Sequence, residues 1–190
     1  MTTAWQTLGP FFSPFLLKPG ENDLTRIRPG AAPAEGRTIQ IMGTVREQNG
    51  VPVAGALLEI WQANAAGRYA HPADTSGLPL DPNFRGFGRV YTDREGRYCF
   101  RTIKPGPVPG PGNRWQAPHI LLSIFAAGLL RRLTTRIYFP DENANAEDPV
   151  LATIEDPAAR ATLIAGTESS GRYVFDIVTS GEGETAFFTD

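Results

Sequence analysis

A chain of 190 residues, 41% hydrophobic and 20% charged, is long enough for one domain with a real core and is ordinary in composition for a globular protein. A formal net charge of −2, with no cluster of Lys and Arg, argues against a nucleic-acid footprint. The single cysteine, Cys99, rules out an intrachain disulfide framework, no apolar run is long enough to span a membrane, and the polar start Met1-Thr2-Thr3-Ala4-Trp5-Gln6 is not that of a signal peptide, so a cytoplasmic location is expected.

Residues 1–36 read as an N-terminal arm. Pro10, Pro14, Pro19, Pro29 and Pro33 break helix and interior strand alike. The same stretch carries Trp5, Phe11, Phe12, Phe15, Leu16 and Leu17, too many large apolar groups to bury against itself. They need a surface, either on this domain or on another chain.

Residues 37–190 read as a β domain. Gly (20) and Pro (17) stand without period between short apolar runs, the pattern of many strands joined by turns. Strands are predicted over 38–45 and 57–61, with a turn at Asn49-Gly50 between them. Residues 70–88 form a long polar loop, functional or interfacial by its length. A hairpin is expected from 90–92 and 98–102 around Asp93-Arg94-Glu95-Gly96, and Lys104–Gly112 is too rich in Pro and Gly for regular structure. Further strands are predicted over 119–125, 133–139, 173–178 and 185–188. Asp156 before Pro157 has the form of a helix N-cap. Cys99 reads as an ordinary strand residue, and Trp61 and Trp115 as core or interface groups. The whole is an all-β, antiparallel β-sandwich with little helix.

Few residues point to chemistry. His71 and His119 with one cysteine cannot make a zinc site of Cys/His spacing, no Gly-rich loop leads into Lys-Ser/Thr, and no serine-hydrolase elbow is present. Two segments stand out by residue type: Trp61–Tyr69, which puts a tyrosine in a loop leaving a strand, and Pro105–His119, a stiff Pro/Gly loop running into Ala117-Pro118-His119.

These two segments resemble the signature of the intradiol ring-cleavage dioxygenases, and the resemblance runs from about residue 38 to the C-terminus. Gly181–Phe188, Ala117-Pro118-His119 and Thr135–Phe139 are similar to the α chain of a member built from homologous α and β chains. The resemblance implies a transthyretin-like (prealbumin-like) sandwich and a non-haem ferric cofactor held by two tyrosines and two histidines, donors that suit hard Fe(III). Carried over one by one, the first tyrosine matches Tyr69 and the second falls at Val108. The histidines of a His-x-His, one strand period apart, match His119 and Leu121. An arginine three residues before the first histidine, which assists the aromatic substrate, matches Gln116. Val108 and Leu121 cannot ligate a metal.

The resemblance therefore implies a chain that binds no metal, with Tyr69 and His119 as relic ligand positions and Fe(III) bound by a homologous β subunit in an αβ protomer and a higher hetero-oligomer. No catalytic residue is expected in this chain alone. Its substrate-pocket contribution would come from Thr7-Leu8-Gly9-Pro10, preceded by Gln6: Gly9 lets backbone approach a ligand, Pro10 stiffens the approach, and Thr7 offers a hydroxyl. Ala127 stands where many α chains carry an arginine able to attract a substrate carboxylate; Arg131 or Arg132 could replace it, although strand exposure is the simpler account of both. The implied reaction is cleavage of 3,4-dihydroxybenzoate by O₂ to 3-carboxy-cis,cis-muconate. Two rivals are a homomeric intradiol enzyme, which lacks two ligands here, and a transthyretin-like binding or structural module, which leaves Tyr69, His119 and the arm without explanation.

Overall fold

Ile39, Ile41 and Val45 alternate with less buried neighbours, which gives the strand β1 (Thr38–Arg46) one face for a core. In the computed structural model, which describes residues 17–110, 112 and 114–188, this strand is the centre of a five-stranded sheet. Strand β4 (Arg97–Ile103) lies antiparallel along one edge of it. Strands β10 (Arg172–Val174) and β11 (Ile177–Val178) follow each other parallel along the other, and β9 (Gly166–Ser169) pairs with β10.

A second sheet has the order β3-β2-β7-β8, from β2 (Leu57–Trp61), β3 (Phe87–Tyr91), β7 (His119–Phe125) and β8 (Leu133–Tyr138), all antiparallel. Leu58, Ile60, Ile120, Leu122, Ile124 and Ile137 of this sheet meet Ile39, Ile41, Phe100 and Tyr173 of the first in one apolar cluster. Burial of such side chains, at about 1.5–3 kcal/mol each, drives the two sheets together. A small ribbon, β5 (Val108–Pro109) with β6 (Trp115–Gln116), stands beside them. Among the described residues helix is confined to 3₁₀ turns and α1 (Pro157–Ala161), where Asp156 caps the Ala158 amide at 2.9 Å. No helix among the described residues is long and apolar enough to cross a membrane.

The fold departs from the sequence reading at four points. The first sheet is mixed, because the chain returns to β1 in parallel. The Asp93 turn forms, with the Asp93 amide donating to the Arg97 carbonyl, yet β3 and β4 separate from it into different sheets. Thr92 diverts the chain there: its hydroxyl donates to the Val53 carbonyl at 2.7 Å and accepts from the Ala56 amide at 2.9 Å, which ties the end of β3 to the start of β2. Val108 and Pro109 form a short strand inside the Pro/Gly loop. The expected strand over 185–188 is reduced to one bridge, Thr134 to Phe188.

Between β10 and β11 the backbone presses on β1. The Phe175 carbonyl accepts the Tyr98 hydroxyl at 2.6 Å and lies where a side chain on Gly43 would have to go. Asp176 accepts from both the amide and the hydroxyl of Thr44 at 2.8 Å. Gly43→Ala is therefore expected to destabilise the domain by about 2–3 kcal/mol, read as a lower urea midpoint at unchanged slope.

Candidate functional site

The loop after β2 is set by Asn64, whose side-chain oxygen accepts from the amides of Ala66 and Arg68 at 3.0 and 2.9 Å. Its backbone carbonyl takes the Gly106 amide, so the Pro/Gly loop docks main chain on main chain. A Cβ on Gly67 would collide with the Pro107 carbonyl, and one on Gly106 with the carbonyl of Ala65. This close approach brings Val108 beside Tyr69. The two border an open cleft of about 420 Å³ with Trp61, His71, Asp74 and Pro109.

Tyr69 stacks on Trp61, ring centres 5.8 Å apart and planes 15° from parallel, and its amide donates to Asp74 at 2.7 Å. Burial pushes its hydroxyl up from the usual phenol value; the Arg136 guanidinium opposes this and the Asp74 carboxylate adds to it. His71 is exposed, turned edge-on to Trp61, with its Nδ1 accepting the Ala73 amide at 3.1 Å.

His119 opens β7 and is 3% exposed. Its Nδ1 lies 2.7 Å from the Ala117 carbonyl, which can only accept, so Nδ1 carries the proton. The ring lies against Tyr138, its cross-strand partner, at 5.6 Å. Burial first, and the Arg136 charge second, lower the imidazole from 6.5 to about 4, against the pull of the Ala117 carbonyl and Asp148. Leu121, one strand period on, sits half-buried between Trp61 of β2 and Arg136 of β8.

The structure places the four positions singled out by the sequence resemblance on neighbouring elements: Tyr69 and Val108 line one cleft, and His119 and Leu121 share a face of β7. Only Tyr69 and His119 carry donors there. Val108 and Leu121 bring hydrocarbon, His71 faces solvent, and no group of three or more His, Cys, Asp or Glu side chains converges among the described residues. The residues present do not fit a ferric ion. Thr7, Gly9 and Pro10 lie outside the described residues. Ala127 is exposed in the turn after β7, and Arg131 and Arg132 are exposed beyond it; Arg132 borders a separate hollow of about 340 Å³ with Leu121 and Trp61.

Sequence reasoning missed Arg136 and Asp148. Arg136 donates through Nη1 to Gln116 Oε1 at 2.7 Å and to the Tyr138 hydroxyl at 3.3 Å, and its guanidinium lies 5.8 Å from the Phe188 ring centre. Asp148, 1% exposed, accepts the Ala117 amide at 2.7 Å, the Tyr138 hydroxyl at 3.1 Å, and the Val150 and Leu151 amides at 2.8 and 2.9 Å. The available signal was alternation: Arg136 and Tyr138 share the face of β8 opposite the core residue Ile137.

The chain is similar throughout to proteins of one family. The family model described as Dioxygenase matches residues 8–181. The chain is 40% identical over 196 residues to the protocatechuate 3,4-dioxygenase alpha chain of Pseudomonas putida, covering 98% of this chain and 95% of that one. It is 43% identical over 178 residues to the beta chain from Burkholderia cepacia, covering 89% and 75%. Among solved structures, the dioxygenase domain of a dioxygenase carbohydrate-binding protein fusion from Streptomyces sp. SirexAA-E superposes with a TM-score of 0.62 at 29% identity, covering 97% and 99%.

The buried neutral His119 makes stability pH-dependent. As pH falls, the unfolded chain takes up a proton near 6.5 while the folded chain resists until about 4, so stability present above 6.5 is lost across that window. In paired denaturant titrations between pH 6.5 and 4, the parent should lose on the order of 2–3 kcal/mol more than His119→Gln.

Proposed function

The chain belongs to the intradiol dioxygenase family, and we propose that within it the protein serves as the non-iron-binding α subunit of a protocatechuate 3,4-dioxygenase. The observation that carries this reading is that, of the four positions the resemblance matches to metal ligands, Val108 beside Tyr69 and Leu121 beside His119 offer only hydrocarbon. A homomeric enzyme of the family would need all four in each chain. The near end-to-end match to α chains and the shorter match to a β chain support a pair of homologous subunits in one hetero-oligomer. A binding module without enzymatic role accounts for neither the family match nor the gathered relic positions.

The reaction breaks the bond between the two hydroxyl-bearing carbons of 3,4-dihydroxybenzoate and adds both atoms of O₂, giving 3-carboxy-cis,cis-muconate. Fe(III) of the β subunit would supply the activation of the catecholate toward O₂. This chain's part is to bind and shape. Of the arm, residues 1–36, the start would cross to the partner's pocket and offer Thr7, Gly9 and Pro10 there, whereas Leu24 and Ala34 belong to this domain's own core. Residues 37–190 would provide the sandwich, of transthyretin-like type, on which the assembly is built. Trp115 at the edge of the small ribbon, 54% exposed, and Leu130, 76% exposed, are apolar surface suited to a partner. A cytoplasmic location belongs to the same reading.

Iron content and O₂ uptake with protocatechuate, measured on the chain alone and after co-expression with a β-type partner, test the proposal. The chain alone should be iron-free and inactive, and the mixture iron-loaded and active. Deleting residues 1–12 should lower kcat/KM of the mixture by about tenfold or more. Iron and turnover in the isolated chain would overturn the subunit reading. An assembled mixture without turnover would leave assembly standing and remove the substrate.

A further inference from the structure

The relic site has more than an absence in it. Arg136 projects from β8 on the same outer face as His119, Leu121 and Trp61, and strand pairing or hydrogen bonds link it to the positions of Val108, His119 and Leu121. Leu121 is its direct cross-strand partner. Gln116, which accepts its Nη1–H at 2.7 Å, is the strand partner of Val108 and donates onward to the Pro109 carbonyl at 3.3 Å. Tyr138, which accepts from the same nitrogen at 3.3 Å, is the strand partner of His119 and lies against its ring.

We propose that Arg136 is a built-in cation that stands in for the charge of the missing metal and bars metal ions from the relic site. An arginine is charged at every accessible pH, and two hydrogen bonds fix this one in place. A ferric ion entering between Tyr69 and His119 would meet a fixed like charge in a half-buried setting, where screening is weak. Asp148 offsets that charge only in part, because its carboxylate lies beyond the Tyr138 hydroxyl and is shared among three backbone amides. Loss of donors and gain of a cation are then two separate barriers. The inference uses the family match of the four positions and extends it to a fifth residue that the match does not assign.

The test restores the donors and varies the charge. Val108→Tyr/Leu121→His, the same pair with Arg136→Gln, and the same pair with Arg136→Lys are made in the full chain. Each is titrated with Fe(III) supplied as its nitrilotriacetate chelate. Bound iron and the visible absorption of a ferric–phenolate bond are read, with folding checked by thermal unfolding. The Arg136→Gln form should bind iron at least about a hundredfold more tightly than the other two. Equal affinity with Arg, Lys and Gln at this position would overturn the proposal, as would three folded forms that all refuse iron. Single substitutions in the parent give a second reading that needs no restored ligands. Arg136→Gln should raise the affinity for Ni²⁺ several-fold over the parent while Arg136→Lys leaves it unchanged, and three equal affinities would overturn the idea. Oxygenase activity of the mixed subunits is not part of this readout, so the inference and the subunit assignment can fail separately.

Discussion

A single buried carboxylate aligns the region on which the functional reading rests. Asp148 lies in the segment after β8, yet it reaches back to hold the Ala117 amide just before β7 and the Tyr138 hydroxyl at the end of β8. Its remaining acceptor capacity goes to the amides of Val150 and Leu151. Charge-assisted bonds of this kind are worth about 1.5–3 kcal/mol each when satisfied, and an unpaired partner left buried is expensive. The four bonds therefore fix both the register of the β7–β8 pair and the position from which His119 and Arg136 project. Around them Ala117, Tyr138, Leu151 and Leu163 form a small apolar cluster of their own, which shields the carboxylate from water.

The candidate site shows how a face with no metal centre can be fully packed. Buried donors with nothing to bind would carry a desolvation cost. Here the two most awkward positions have become hydrocarbon: Val108 is 4% exposed in the β5–β6 ribbon, and Leu121 fills the row between Trp61 and Arg136. The two donors that persist have other work. Tyr69 covers Trp61, and His119 donates to the Ala117 carbonyl from within the β7 start. Gln116, in place of the family's arginine, accepts the Arg136 guanidinium. Each of these positions is thus packed or hydrogen-bonded within the chain.

Much of this was legible beforehand, and the reasons are physical. Strands such as Leu57–Trp61 and His119–Phe125 were readable because their alternation reflects one buried and one open face. The Asp156-Pro157 start of the helix was readable because capping is local. What failed depended on distant partners. Residues around Asp93 specify a turn, and whether its two arms pair with each other is decided by β1 and β2, each offering a full-length edge. In the site, that Val108 and Leu121 offer no metal donor could be read because Val and Leu lack donors wherever they stand. Arg136 could not, since its meaning comes from Gln116 twenty positions away and from the ring of Tyr138. An arginine in a strand reads as solvated until the strand's neighbours are known.

The division of labour between homologous chains follows from these constraints. An iron site needs four convergent donors and a face open to substrate, whereas a subunit that only supports a neighbour's site is freed from both demands. In the proposed subunit that face is closed by apolar groups and a fixed cation. The sheet is needed all the same, because it carries one side of the core: Leu58, Ile60, Ile120, Leu122 and Ile124 point inward from the strands whose outer faces bear Trp61, His119 and Leu121. Strand periodicity couples the two faces, so the outer one can change its chemistry residue by residue while the inner one holds the fold.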